Sequence, residues 1–143
     1  MAGHRVDEVS DNVFSLSGRI NSTWGGGLTD MVRSRRLLEI IERDGLIDHA
    51  AKAGNWLLGE LKALAERHPE LASNVRGRGL MCAFDLPEAG TRDAAQRLLW
   101  EDHVLVLPCG ERSIRFRPAL NVTKSELEFG LAALDRALTT LAD

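Results

Sequence analysis

The stretch Val75-Arg-Gly-Arg-Gly-Leu-Met-Cys-Ala-Phe-Asp-Leu-Pro87 marks the point at which the residue pattern changes from helical to extended. Large apolar or cysteine side chains occupy every second position from 80 to 86, which is typical of a half-buried strand. Gly77 and Gly79 stand at its start and indicate a bulge or a close backbone approach. The stretch therefore predicts a strand in the middle of the chain.

Helical patterns surround this strand. Apolar side chains recur at helical spacing over residues 28–44, 46–67 and 91–102. A fourth helix is the clearest, because Thr123 and Glu126 form a capping box before a long leucine stripe.

Two short strands are predicted between the last two helices. Residues 104–107 form an apolar run closed by Pro108, and residues 113–116 return after a turn. The order of elements predicts a compact α/β domain of the α+β kind, with a small, largely antiparallel sheet covered by helices. Residues 1–20 carry apolar side chains without a long periodic pattern, so we expect them to be a segment cut from a larger protein or one that packs on another subunit.

The composition excludes several classes of protein. The 143 residues are 44% hydrophobic and 27% charged, with a net charge of −3 and a pI near 5.8. These values are ordinary for a globular protein and favour neither nucleic acid nor a membrane as partner. Cys82 and Cys109 belong to no metal or redox motif, so we expect buried core cysteines, no metal site and a cytoplasmic location.

The segment Asn21-Ser-Thr-Trp-Gly-Gly-Gly27 runs directly into the first predicted helix. The hydroxyl of Thr23 and a series of free backbone N–H groups at a helix N-terminus are suited to hold a phosphate. A helix cap followed by a flexible turn explains the same residues. The spacing alone leaves both interpretations open.

Arg115 and Arg117 flank Phe116 in the last predicted strand. Alternate residues of a strand point to one face, so both guanidinium groups could reach one anion, and a guanidinium binds a carboxylate in bidentate fashion. Salt bridges at a sheet edge are the alternative, which the residues alone favour. The same alternative is preferred for Arg76 and Arg78.

No lysine is placed as a catalytic amine. Lys52 and Lys62 fall on exposed helix faces, and Lys124 lies within the capping box. A nucleophilic lysine is normally buried or activated by its neighbours. We therefore predict no catalytic residue in this chain.

Three of these motifs together resemble the class III aminotransferases, which use pyridoxal 5'-phosphate. Residues 21–28 are similar to the family's S-T-[YFW]-G-G-N segment, residues 76–81 to R-G-x-G-L-M, and residues 114–120 to I-R-[LF]-x-P-P-L. The motifs occur in the family's order and cover nearly the whole chain. Their forms resemble those of lysine 6-aminotransferases most closely, which implies the C-terminal domain of a fold-type-I transferase.

The resemblance implies roles for individual residues. Thr23 matches the threonine that binds the cofactor phosphate from the neighbouring subunit of a homodimer, and Asn21 would lie near the same site and touch substrate or cofactor. Arg115 matches the arginine that clamps a carboxylate of the amino acid or of 2-oxoglutarate. Arg117 falls where the family varies and has only a supporting role.

Departures from the family pattern are also present. Gly27 stands where the family has asparagine, and Ala119 replaces the second proline of its motif. Family members are longer, and their Schiff-base lysine precedes the matching segment. We therefore expect residues 1–27 to be a dimer-crossing segment and residues 28–143 the small domain of a longer enzyme, with Met1 an internal methionine.

The implied reaction is the transfer of the ε-amino group of L-lysine to 2-oxoglutarate, a step of lysine catabolism, and the isolated chain is expected to be inactive. A second hypothesis comes from a different class of protein. The chain would be a non-catalytic α/β module that binds anions or other proteins through its apolar N-terminal segment and its first helix.

Overall fold

The computed structural model describes residues 3–16, 18–20 and 22–142, and the chain forms two compact units, residues 1–40 and 41–143. The first unit starts with a short 3-10 helix, His4–Glu8, and continues in turns. It ends within helix α1, Leu28–Arg43, which agrees with the predicted helix. No described residue of this unit is buried.

Helix α1 carries both charged and apolar side chains at its surface. Arg33 pairs with Asp30 at 3.0 Å, and Glu39 accepts hydrogen bonds from Arg35 and Arg36 at 2.9 and 3.2 Å. These ion pairs are exposed. The apolar side chains of the helix are also exposed, including Leu28, Val32 and Leu38.

The second unit contains a sheet and three helices. Its elements are α2 (Leu46–Arg67), β1 (Ser73–Arg78), β2 (Met81–Asp85), α3 (Ala89–Glu101), β3 (Leu107–Cys109), β4 (Ser113–Phe116) and α4 (Lys124–Ala142). The four strands lie in the order β1-β2-β4-β3, and every neighbouring pair is antiparallel. The predicted α+β fold with a small antiparallel sheet is confirmed.

The prediction of one strand over residues 75–87 is wrong, because the chain turns back within it. β1 and β2 form a hairpin in which Gly79 adopts a left-handed conformation with φ +54°. The expected close approach is present: a Cβ on Gly77 would lie 2.7 Å from the sulfur of Cys82. The two glycines therefore build a tight hairpin and not the entrance of a single strand.

The strand predicted over residues 104–107 is displaced towards the C-terminus. β3 is Leu107–Cys109, so Pro108 lies inside the strand and pairs with Ile114. β3 is an edge strand, where a proline without an N–H group is tolerated. The backbone carbonyl of Val106 instead accepts a hydrogen bond from Gln96 of α3 at 3.2 Å.

The core lies between the sheet and the helices. Its largest fully buried side chains are Phe84, Leu57, Leu61, Leu64, Leu86, Leu99, Ile114, Leu134, Leu138 and Cys82. Burial of such side chains stabilises a domain by about 1.5–3 kcal/mol each before the entropy of ordering is subtracted. None of the helices in the described ranges is long and apolar enough to cross a membrane.

The predicted capping box opens α4. The backbone N–H of Thr123 donates to a carboxylate oxygen of Glu126 at 2.7 Å, and the N–H of Glu126 donates to the Thr123 hydroxyl at 3.3 Å. His49 of α2 lies 2.9 Å from the carbonyl oxygen of Val122, just before the box. These contacts fix the start of α4 against α2.

Candidate active site

The sheet has two faces of different character. Cys82, Phe84 and Ile114 point to the helices and are buried. Because strand side chains alternate, Ala83 and Arg115 point to the opposite face, which we call the outer face. In the register, Ala83 is opposite both Arg76 and Arg115, so the two arginines flank an alanine in one row.

An open depression of about 560 Å³ lies on the outer face. Its lining residues are Arg76, Gly77, Arg78, Met81, Cys82, Ala83, Cys109 and Arg115. Three arginines therefore line one depression whose remaining lining is small or apolar. Such a surface favours a ligand that carries negative charge.

Arg115 has a buried polar atom without a partner among the described residues. The side chain is half-buried, and its Nε atom is buried without a hydrogen-bond partner in the described part of the chain. A buried polar group without a partner costs about 1–3 kcal/mol. A carboxylate bound in bidentate fashion would remove that cost, so the predicted substrate-binding role of Arg115 agrees with its surroundings.

Arg117 does not share this depression. β4 ends at Phe116, so strand alternation does not extend to Arg117, and its exposed side chain lines a separate cavity of about 140 Å³. Pro118 and Glu126 also line that cavity. The expectation that Arg115 and Arg117 reach one anion from the same strand face is therefore not met.

Arg76 is held by a buried carboxylate that the sequence interpretation missed. Its guanidinium donates to Asp85 at 2.7 Å and to the Ser113 hydroxyl at 3.0 Å. Ser113 in turn donates to Asp85 at 2.5 Å, and Asn74 donates to the other oxygen of Asp85 at 2.8 Å. The salt-bridge interpretation is thus correct for Arg76, whereas Arg78 is exposed and has no ion pair among the described residues.

These contacts determine the charge of Asp85. Burial by itself raises the pKa of this carboxyl group, but the hydrogen bonds from Ser113, Asn74 and Arg76 outweigh burial and lower the pKa to about 2. Asp85 is therefore ionised at neutral pH and cancels the charge of Arg76. Knowledge of how β2 and β4 pair would have indicated this network, because Asp85 and Ser113 are direct partners in the sheet.

The glycine-rich loop of the first unit forms consecutive turns. The N–H group of Gly25 donates to Ser22 at 2.9 Å and that of Gly27 donates to Trp24 at 3.1 Å. Two amides predicted to be free are therefore already used. Thr23 is exposed, and its hydroxyl has no hydrogen-bond partner within residues 22–142. The predicted site residue Asn21 lies outside the described residues.

The remaining candidate groups are the lysines and the cysteines. Lys52 and Lys62 are exposed, and the exposed Lys124 pairs with Glu128 at 3.3 Å. Cys82 is a buried free thiol, as expected, whereas Cys109 is only half-buried. Within the described ranges no three histidine, cysteine or acidic residues are grouped to hold a metal.

The sequence model of the aminotransferase class-III family matches residues 4–138 of this chain. The match covers most of the chain, including the Thr23 loop and the antiparallel domain that carries Arg115, and it shows the class of protein. The chain belongs to the class III aminotransferase family.

Individual relatives within the family are similar to this chain over nearly its whole length. The chain is 55% identical to the L-lysine-epsilon aminotransferase of Amycolatopsis lactamdurans over 98% of its own length, and 51% identical to that of Streptomyces clavuligerus over 100%. A solved structure of lysine aminotransferase from M. tuberculosis matches 99% of the chain with a TM-score of 0.88 and 51% identity. The chain spans about a third of these relatives, 31%, 32% and 32% of their lengths respectively.

Class III aminotransferases depend on pyridoxal 5'-phosphate, and the described residues fit part of such a site. The unpartnered Thr23 hydroxyl is suited to donate to a phosphate oxygen. The loop amides fit less completely, because those of Gly25 and Gly27 are bonded within the loop. A phosphate at this loop would therefore meet the Thr23 hydroxyl and not these two amides.

Proposed function

We propose that this chain is the C-terminal part of an aminotransferase that transfers the ε-amino group of L-lysine to 2-oxoglutarate. The observation that carries the proposal is the identity of more than half of the residues with L-lysine-epsilon aminotransferases over nearly the whole chain. Arg115 agrees with it, since the depression offers a guanidinium without a partner to a carboxylate.

In this proposal Arg115 binds and orients a substrate. Lysine and 2-oxoglutarate both carry carboxylates, and a half-buried arginine holds a carboxylate in one plane and in one orientation. Correct orientation of the reacting carbon is worth several kcal/mol of the activation barrier. Arg115 is thus a positioning group for the carboxylate and does not itself take part in proton transfer.

Thr23 has the second role, at the cofactor. Its hydroxyl donates to the phosphate of pyridoxal 5'-phosphate, and Asn21, two residues earlier in the sequence, is assigned to the substrate or cofactor. When bound, the cofactor supplies the electron sink that makes amino transfer possible. The proposal assigns Thr23 to the phosphate of a neighbouring subunit, so that residues 1–27 form the dimer-crossing segment and residues 28–143 the small domain.

The exposed apolar side chains of the first unit support a homodimer. Trp24, Leu28 and Val32 are 81%, 79% and 69% exposed. Apolar side chains of this size, clustered along one short segment, are typical of surfaces that a second chain covers. We place this assembly in the cytoplasm, in agreement with two free cysteines.

The chain by itself is proposed to be inactive. Amino transfer in this family requires a lysine that holds the cofactor, and the three lysines of this chain are all exposed. An exposed lysine at a helix surface has no neighbour that would activate it. The activity therefore belongs to a longer protein that contains this chain.

A chimera tests the proposal. The C-terminal third of the Amycolatopsis lactamdurans enzyme is replaced by this chain, and the formation of glutamate from L-lysine and 2-oxoglutarate is measured. We expect activity within about tenfold of the unaltered enzyme, and none from the 143-residue chain alone. A folded, cofactor-loaded chimera without turnover would contradict the proposal, as would turnover by the isolated chain.

A non-catalytic module that binds proteins is the second candidate. The exposed apolar side chains of α1 favour it, because the same surface would dock a different partner. The chimera separates the two candidates, since a module unrelated to catalysis would not restore amino transfer.

A further inference from the structure

Not all of the three arginines that line the outer-face depression can attract a ligand. Arg76 is 2.7 Å from Asp85, which cancels its charge. Arg78 and Arg115 line the same depression and have no ion pair in the described part of the chain. Two of the three guanidinium groups are therefore available to an anion, and the third is withheld.

Asp85 is built into the sheet and is not a surface counter-ion. Its exposed fraction is 7%, and three side chains from β1 and β4 donate to its carboxylate. In the register Asp85 is opposite Ser113, and Ala83 is opposite Arg115, so the carboxylate lies one row behind the row of Arg115. Fixed in this place, it acts on the potential of the whole depression.

We infer that Asp85 sets the affinity and selectivity of the depression for carboxylates by withholding the charge of Arg76. The inference rests on the proposed role of Arg115 as the group that binds the carboxylate. With Asp85 present, a ligand must place its carboxylate on Arg115 to gain full attraction. Without it, Arg76 adds a further positive charge at the edge of the depression, and any anion binds more tightly.

The charge of the depression also affects how fast carboxylates are released during turnover. Carboxylate substrates enter this site and carboxylate products leave it in every cycle, so excess positive charge slows release. Asp85 keeps the net charge low enough for exchange while Arg115 retains geometric selection through its planar guanidinium. Asp85 is in this sense a specificity-determining residue that never touches the ligand.

A purely structural role of the Asp85 network predicts that Asp85→Asn weakens ligand binding, whereas a role through charge predicts that it tightens binding. If Asp85 only held β1 and β4 together, Asp85→Asn and Arg76→Gln would both loosen the sheet and weaken ligand binding. If Asp85 acts through charge, Asp85→Asn tightens binding because Arg76 is released, whereas Arg76→Gln weakens it because the negative charge of Asp85 is left uncompensated. The two variants therefore separate the two roles.

The experiment is a titration of the purified 143-residue chain with glutarate, followed by NMR chemical shifts, at an ionic strength of about 0.01 M. We expect Asp85→Asn to lower the Kd about two- to fivefold and Arg76→Gln to raise it by a similar factor. Ser113→Ala is the matched control, because it removes hydrogen bonds of the network without changing its charge. Its Kd should stay within about twofold of the unaltered chain.

The salt dependence gives a second readout. Raising the ionic strength to about 0.15 M should shrink the difference between Asp85→Asn and the unaltered chain, because the effect is electrostatic. Should Asp85→Asn fail to fold, as judged by circular dichroism, Asp85→Ser makes the same change of charge in a smaller side chain.

The other possible outcomes test the inference about Asp85 as well. Weaker or unchanged binding by the folded Asp85 variant overturns the inference, and so does the absence of saturable glutarate binding by the unaltered chain. Arg115→Gln distinguishes a failure of this inference from a failure of the proposed role of Arg115. If Arg115→Gln abolishes binding while Asp85→Asn does not tighten it, only this inference fails. If Arg115→Gln has no effect, the proposed role of Arg115 fails with it.

Discussion

Gly54 of α2 packs against the backbone of Gly79 in the β1–β2 turn so closely that no side chain fits between them. A Cβ added to Gly54 would overlap the Cα, carbonyl carbon and oxygen of Gly79. Gly79 lies in the tight turn between the paired strands β1 and β2, so its backbone cannot move away without disturbing the hairpin. The contact sets how near α2 lies to the hairpin that carries Arg76.

The substitution Gly54→Ala should therefore destabilise the chain. In most helices this change is favourable by about 0.5–1 kcal/mol, but here the overlap with Gly79 forces α2 away from the sheet. We expect a loss of about 2–3 kcal/mol in the free energy of unfolding, measured by urea denaturation.

Gly59 is the matched control for this prediction. It lies in the same helix, and an added Cβ there would meet no atom within 4 Å. Gly59→Ala should stabilise the chain by up to about 1 kcal/mol. Equal effects of the two substitutions would show that helix propensity, and not the contact with Gly79, governs this position.

The pH dependence of stability should report the Asp85 network. The pKa of Asp85 is lowered from 3.8 to about 2 in the folded chain, despite burial, by hydrogen bonds from Ser113, Asn74 and Arg76. A carboxyl group with a lowered folded-state pKa contributes stability that is complete above its unfolded pKa. That stability is lost as the pH falls from about 4 towards 2.

Comparison with Asp85→Asn isolates this contribution. The variant should be less stable than the unaltered chain by about 2 kcal/mol at neutral pH, and the difference should vanish near pH 2. Asp102→Asn, which breaks the exposed pair with Arg136, should change stability by at most about 0.5–1 kcal/mol. A difference between Asp85→Asn and the unaltered chain that does not depend on pH would contradict the assignment of the ionised carboxylate.

The sequence predicted the four helices because each has an apolar stripe, although α3 begins at Ala89, two residues before the predicted start. The bounds of α2 were correct at both ends, since Gly45 precedes it and Pro69 follows it. The capping box at Thr123 likewise depends only on neighbours three residues apart. Signals of this kind depend only on residues close in sequence, so the sequence alone reveals them.

The sheet and the site were predicted less well because they depend on register. A single strand and a hairpin give the same alternation on one face, so the turn at Gly79 was missed. Asp85 and Ser113 are 28 residues apart in sequence, and only strand pairing brings them together. Arg115 was identified through its motif, whereas its unpartnered Nε became visible only in the packed sheet.

The lysines of the isolated chain should not bind the cofactor specifically. The chain is treated with pyridoxal 5'-phosphate and then borohydride, and the labelled peptides are identified by mass spectrometry. Lys52, Lys62 and Lys124 are all exposed, so we expect weak labelling of all three without saturation. The unaltered Amycolatopsis lactamdurans enzyme serves as the control, and one saturably labelled lysine in this chain would assign it a catalytic role.

The most direct test of the account concerns Arg115 in the chimera described above. The two half-reactions, with L-lysine and with 2-oxoglutarate, are measured separately for the unaltered chimera, for Arg115→Gln and for Arg112→Gln. The exposed side chain of Arg112 hydrogen-bonds only to the carbonyl of Pro87 among the described residues. We expect Arg115→Gln to lower kcat/KM of at least one half-reaction about 100-fold, because a carboxylate loses a bidentate partner, and Arg112→Gln to leave both unchanged. If neither half-reaction of Arg115→Gln changes by more than about threefold, Arg115 does not bind the substrate carboxylate and the proposed site is wrong.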